Sequence, residues 1–171
     1  LRLASSQIEV ETLNGRGEGI PWTGITINAP VVELQNGSTV RSQTVGDGDA
    51  GGIRVTAPER FTLSDDPNEV GSVIRPTGLF TNSTGEEGSL GSSGAIIVKT
   101  GLLEFAGGAR FDSTTQSSGS GGDVLITATN EVSISGSRPD PVLEVDIFGL
   151  GSSRPSGIFS RTVGSEFCTD L

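Results

Sequence analysis

The residues best equipped for chemistry in this chain are acids set among small residues. Gly46-Asp47-Gly48-Asp49-Ala50-Gly51-Gly52 alternates two carboxylates with glycine. Carboxylates joined by turn carbonyls make the donor set of a hard cation such as calcium. Glu86-Glu87-Gly88 and Gly119-Ser120-Gly121-Gly122-Asp123 occupy comparable positions further on. A calcium-dependent repeat needs such a loop at every short turn of the chain, whereas these recur at long intervals with variable content. The expected role is therefore a solvated turn in which glycine supplies positive φ. No cofactor is expected, and calcium at Asp47 and Asp49 is the competing reading. A second group of acids, Asp65-Asp66, Asp112, Asp140, Glu144 and Asp146, is the raw material of general acid–base catalysis, which wants paired carboxylates at a fixed separation on rigid strands. Lys99, the chain's single lysine, and Arg54 lie on the outward parity of their segments.

Composition limits what these groups can do. The chain has 171 residues, 21 acids against 11 bases, a net charge of −10, no histidine and one cysteine, Cys168. Histidine-based proton transfer, His or Cys zinc sites and intrachain disulfides are excluded. The acidic balance disfavours nucleic acid and anionic membranes as partners, and no apolar run is long enough to span a bilayer. Asn36-Gly37-Ser38 and Asn82-Ser83-Thr84 match the glycosylation sequon by chance, Trp22 is expected to cover core, and Cys168 lies beyond the last recognisable strand. Gly164–Leu171 departs from the repeat and is either native or an expression remnant.

The elements that must position these groups are repeats. Four segments begin with glycine and continue as an alternating strand, with apolar pairs Ile25/Ile27, Ile53/Val55, Ile96/Val98 and Val124/Ile126. A second alternating pair follows in each: Val32/Leu34, Phe61/Leu63, Leu103/Phe105 and Val132/Ile134. A third strand type starts at Ile8, Val40, Leu79, Phe111 and Ile158. These 21 residues form the expected core ladder. Spacings between third-strand starts place insertions 65–77 and 137–156 at the same corner of alternate copies. Short strands with one apolar face cannot close a core alone; stacking each on its sequence neighbour buries a continuous column and pairs the backbone in parallel. The expected fold is all-β, a right-handed parallel β-helix of four to five coils with three short strands per coil, and residues 1–171 form a single segment of it. The column Thr12, Thr44, Ser83, Thr115 and Thr162 shares the inward parity, so an ice-binding array is rejected in favour of an internal hydroxyl ladder.

The recurring form G-x-(I/V)-x-(I/V)-x-A, then (V/L)-x-L, then N-G-S or G-G-A, then an (I/V/F)-x-(S/T)-x-T strand resembles the repeat region of filamentous-haemagglutinin-like exoproteins, especially the cyanobacterial ones exported by two-partner secretion. Gly24 to Gly52 and Gly101 to Ala128 carry it most plainly. The amino-terminal secretion domain of that family, with its Asn-Pro-Asn-type motifs, is not in this sequence. The resemblance implies an extracellular, bacterial cell-surface location and a structural or adhesive shaft rather than an enzyme. The rival reading is a β-helical polysaccharide lyase or hydrolase. Expected partners are neighbouring coils of a longer chain or head-to-tail copies in a filament, with a surface glycan or protein as ligand. Neither end carries a capping element over the open strand edges, so the solenoid is expected to continue.

Overall fold

Alternation of Val, Ile, Phe and Thr, broken by Gly, Asn and Ser, suits extended strands with one buried face. The computed structural model describes residues 1–13, 24–66, 76–84, 89–139 and 153–162, and their regular structure is all β. The strands are β1 Arg2–Ala4, β2 Gln7–Leu13, β3 Gly24–Asn28, β4 Val31–Gln35, β5 Thr39–Val45, β6 Gly52–Ser64 and β7 Gly78–Thr84. They continue as β8 Ile96–Ala106, β9 Arg110–Thr115, β10 Val124–Ile134, β11 Ser137–Pro139, β12 Ser153–Pro155 and β13 Gly157–Thr162. One sheet runs β1-β4-β6-β8-β10, with β3 also on β6; the other runs β13-β9-β7-β5-β2. Every pair within these two sheets is parallel. This arrangement is consistent with a β-helix.

Register follows the apolar parity. Ile25, Ile53, Ile96 and Val124 stand in one row, Ile27, Val55, Val98 and Ile126 in the next. Val32, Phe61, Leu103 and Val132 form a third row, and Leu34, Leu63, Phe105 and Ile134 a fourth that Leu3 extends. In the other sheet Ile8, Val40, Leu79, Phe111 and Ile158 are aligned. Phe111 bridges the sheets, stacked on Phe61 at 5.8 Å and edge-on to Phe105 at 4.7 Å. Such ring pairs add to the burial of their area.

Two expectations need correction. Val132, Ile134 and Ile158 hold core register yet are 47 %, 46 % and 38 % exposed, because β10 and β13 are the last described strands of their sheets and no described strand stacks on them. Three short strands per coil is also too many for most of the stack. The first two strand types fuse into β6, β8 and β10, and the corner between them is a register shift at Ala57/Arg60 and Ala128/Glu131. A bulge bends the strand without ending the ladder. Only β3 and β4 are separate, parted at Ala29-Pro30, where proline has no N–H to donate.

Glycine marks the point where each loop enters the first sheet. A Cβ on Gly24 would lie 2.0 Å from the carbonyl oxygen of Gly52, one on Gly94 2.1 Å from that of Gly51, and one on Gly122 2.1 Å from that of Gly94. The neighbouring backbone occupies the space of a side chain, which is why G-x-(I/V) recurs.

Candidate functional site

The outer face of the second sheet gathers most of the unusual side chains. Residues of one parity there form three rows: Gln7, Thr39, Gly78, Arg110 and Gly157; then Glu9, Arg41, Phe80, Asp112 and Phe159; then Glu11, Gln43, Asn82, Thr114 and Arg161. Phe80 is only 5 % exposed although it points away from the core. Gly78 accounts for this: a Cβ there would come within 3.1 Å of the Phe80 ring, so the ring lies down over a strand with no side chain in its way. The guanidinium of Arg41 lies over this ring at 5.9 Å and that of Arg110 at 5.8 Å. A guanidinium held against an aromatic keeps the N–H donors of its rim available.

Asp112 lies between Arg110 and Arg161. Arg161 Nη2 donates to its Oδ2 at 3.3 Å, Arg110 Nε lies 4.0 Å from the same oxygen, and the Thr114 hydroxyl donates to Oδ1. Arg161 Nε also donates to Thr114 Oγ1 at 3.2 Å. Arg41 makes no ion pair with another described residue. These groups line an open cleft of about 280 Å³. Among the described residues its charged lining is three arginines and one aspartate, so with Arg41 unpaired it presents positive charge in a chain of net charge −10. Low-dielectric walls focus such a field.

A second hollow, about 560 Å³, lies on the outer face of the first sheet between Arg54, Lys99, Ile97 and Leu125. Arg54 aligns with Ile97 and Lys99 with Thr56, so the two cations are diagonal neighbours rather than adjacent ones. Leu125 is 58 % exposed.

The acids singled out by sequence are mostly engaged in holding the backbone. Asp49 Oδ1 accepts from Ser92 N at 2.8 Å and Asp47 Oδ1 from Leu90 N at 3.3 Å, so both carboxylates tie their loop to the next one in the stack. Asp65 is buried at the neck of the first insertion; it accepts from Thr77 N at 3.0 Å, Gly37 N at 2.9 Å and the Thr77 hydroxyl. Its neighbour Asp66 donates from its backbone N to Asn36 Oδ1 at 3.2 Å. Asp112 points outward as its parity requires, but it lies under arginines rather than in solvent. Among the described residues no three Asp, Glu, His or Cys side chains stand together as metal ligands. Trp22, Glu86, Glu87, Asp140, Glu144, Asp146 and Cys168 lie outside the described residues. Both insertions nonetheless leave from the same corner, between the end of a first-sheet strand and the start of a second-sheet one. The neck of the second is an antiparallel pair, β11 with β12.

The hydroxyl column faces inward at Thr44, Ser83 and Thr115, which are buried, whereas Thr162, on the last described strand of its sheet, is exposed. Ser83 Oγ donates to Gly91 O at 2.7 Å, Thr115 Oγ1 to Ser120 O at 2.7 Å, and Ser93 N donates to Thr115 Oγ1 at 3.0 Å. These bonds tie the Gly/Ser loops that return the chain to the first sheet. Phe80 and its flanking arginines had no role assigned by sequence. Their signal was the pattern Gly78-x-Phe80, repeated as Gly157-x-Phe159, in which a glycine precedes an outward aromatic by two. Among the described residues no helix is long and apolar enough to cross a membrane. Compared with protein-family models, curated proteins and solved structures, the chain matches none.

Proposed function

We propose that this chain is a right-handed parallel β-helical segment of a secreted, bacterial cell-surface exoprotein of the filamentous-haemagglutinin-like kind, acting as a structural and adhesive shaft rather than as an enzyme. The observation that carries this reading is the alignment of one apolar ladder across both sheets, ending in core-register residues left exposed at Val132, Ile134 and Ile158. A rod that buries its column only by adding coils suits a role in projection. The strand edges of β10 and β13 would be covered by further coils or by the β1 and β2 end of another copy, an open heterologous contact that propagates. The insertions at one corner would form a lateral ridge for contact with a surface ligand. No cofactor takes part in this role, and neither nucleic acid nor membrane insertion does. The test has two arms. Antibody labelling of intact cells is expected to find the protein outside, and its absence there overturns the surface role. Sedimentation of the isolated chain is expected to show association that rises with concentration and weakens in Ile134→Glu. A concentration-independent monomer overturns the open-ended shaft.

A further inference from the structure

The arginine cleft on the outer face of the second sheet lies outside the apolar ladder that stacks the coils, and its chemistry points to a ligand. We infer that it is a binding site for a glycan carrying an isolated carboxylate, such as a chain ending in a uronic acid. This deepens the adhesive role proposed above and rests on it only for the exposure of that face.

The anion half of the site is the Arg41–Phe80–Arg110 stack. Arg41 has no carboxylate partner among the described residues, and Arg110 and Arg161 share the single carboxylate of Asp112. The Arg41 charge is thus left uncompensated. The Phe80 ring holds two of the three guanidiniums in place, which lowers the entropy lost when a planar carboxylate docks on their forked donors. The hydroxyl-reading half consists of Gln116, which is exposed, and Asn82. A sugar acid brings a carboxylate and neighbouring hydroxyls in one unit and so meets both halves. The cleft crosses β5, β7, β9 and β13, four strands at about 4.8 Å spacing, or roughly 14 Å along the stack; that length admits a short oligomer. It lies on a sheet face, so an added peptide strand has no edge to pair with. The chain as a whole carries a net charge of −10, which repels a dense polyanion and leaves a sparsely charged ligand favoured.

The experiment titrates the chain with cellobiouronic acid, using cellobiose, an aspartate-containing peptide and inorganic sulfate as comparisons, and follows backbone amide shifts by NMR. The expected result is saturable shifts at Arg41, Phe80, Asn82 and Gln116 with cellobiouronic acid and none there with cellobiose. Affinity is expected to fall about tenfold or more in Arg41→Gln, as for loss of a charged hydrogen-bond partner, and to weaken with added salt. Arg54→Gln, on the other sheet, is expected to leave it unchanged. Gln116→Ala keeps the test decisive if Arg41→Gln does not fold; it is expected to weaken binding severalfold. Absence of shifts at millimolar ligand, equal binding of cellobiose, tighter binding of the peptide or of sulfate, or full affinity in both cleft variants would each overturn the inference. None of these results bears on cell-surface labelling or on end-to-end association, so the shaft reading stands or falls separately.

Discussion

The interior of the stack has two seams that do the same job with opposite chemistry. Along the first sheet and the near end of the second, Phe61, Leu63, Leu103, Phe105 and Phe111 are fully buried and hold by packing alone. Further along the second sheet the inward positions are Ser42, Thr44, Thr81, Ser83, Ser113 and Thr115, equally buried but polar. The apolar seam is non-directional and tolerates any side chain of the right volume. The hydroxyl seam is directional, and only part of it is satisfied: Ser83, Ser113 and Thr115 bond to the return loops, whereas Ser42 Oγ and Thr81 Oγ1 have no hydrogen-bond partner. The difference shows that inward parity sets burial, while the packing partner decides whether a buried position is oily or polar. Glycine-rich loops offer carbonyls and amides rather than side chains, so the strand facing them carries hydroxyls.

Four substitutions separate the seams. Phe111→Ala removes the ring that joins both sheets and is expected to cost about 3–5 kcal/mol, read as a lower urea midpoint. A loss below about 1 kcal/mol would mean that the two sheets do not depend on this contact. Ser83→Ala deletes one donor to the Gly91 carbonyl, which Ser117 also serves; the expected loss is about 1 kcal/mol. A loss as large as that of Phe111→Ala would erase the distinction between the seams. Ile134→Ala acts on an apolar-seam residue that is nearly half exposed. Its expected cost in dilute solution is at most about 1 kcal/mol, well short of a full core truncation, and is expected to rise under conditions where copies associate. No such rise, in an association confirmed by sedimentation, would show that this coil is not the contact. Thr81→Val keeps the shape and removes a hydroxyl that has no partner. Stability is expected to change by less than about 0.5 kcal/mol or to increase. A clear loss in thermal melting would reveal a hydrogen bond on that hydroxyl.

Much of this was legible before any coordinates. Period-2 alternation names the inward set, and repetition of three strand types in one order names the partner of each residue, so that Ile25, Ile53, Ile96 and Val124 fall into one row. A one-residue slip would turn every buried side chain outward, which makes the register a property of the pattern itself. Alternation says nothing, however, about how a corner is made. An extra residue between Ala57 and Arg60 reads as a turn in sequence, but the backbone absorbs it as a bulge and the strand continues. The partners of the acids were out of reach for a related reason. Asp65 stands in a polar stretch that looks solvated yet is buried, while Asp47 and Asp49 are exposed as a solvated turn requires, and their hydrogen-bond donors lie up to 43 residues away in sequence, on neighbouring coils.

By itself, then, the sequence determined which side chains face in, which strands stack, and where the insertions leave, because each depends only on local parity and on spacing between repeats. The tertiary structure alone decided the rest. Arg41, Phe80, Arg110, Asp112 and Arg161 come from four strands and meet only because a glycine at 78 lets an outward ring lie flat between two guanidiniums. Val132, Ile134 and Ile158 carry the core pattern but not core burial, since burial needs a neighbour on both sides and, among the described residues, the outermost strands have one.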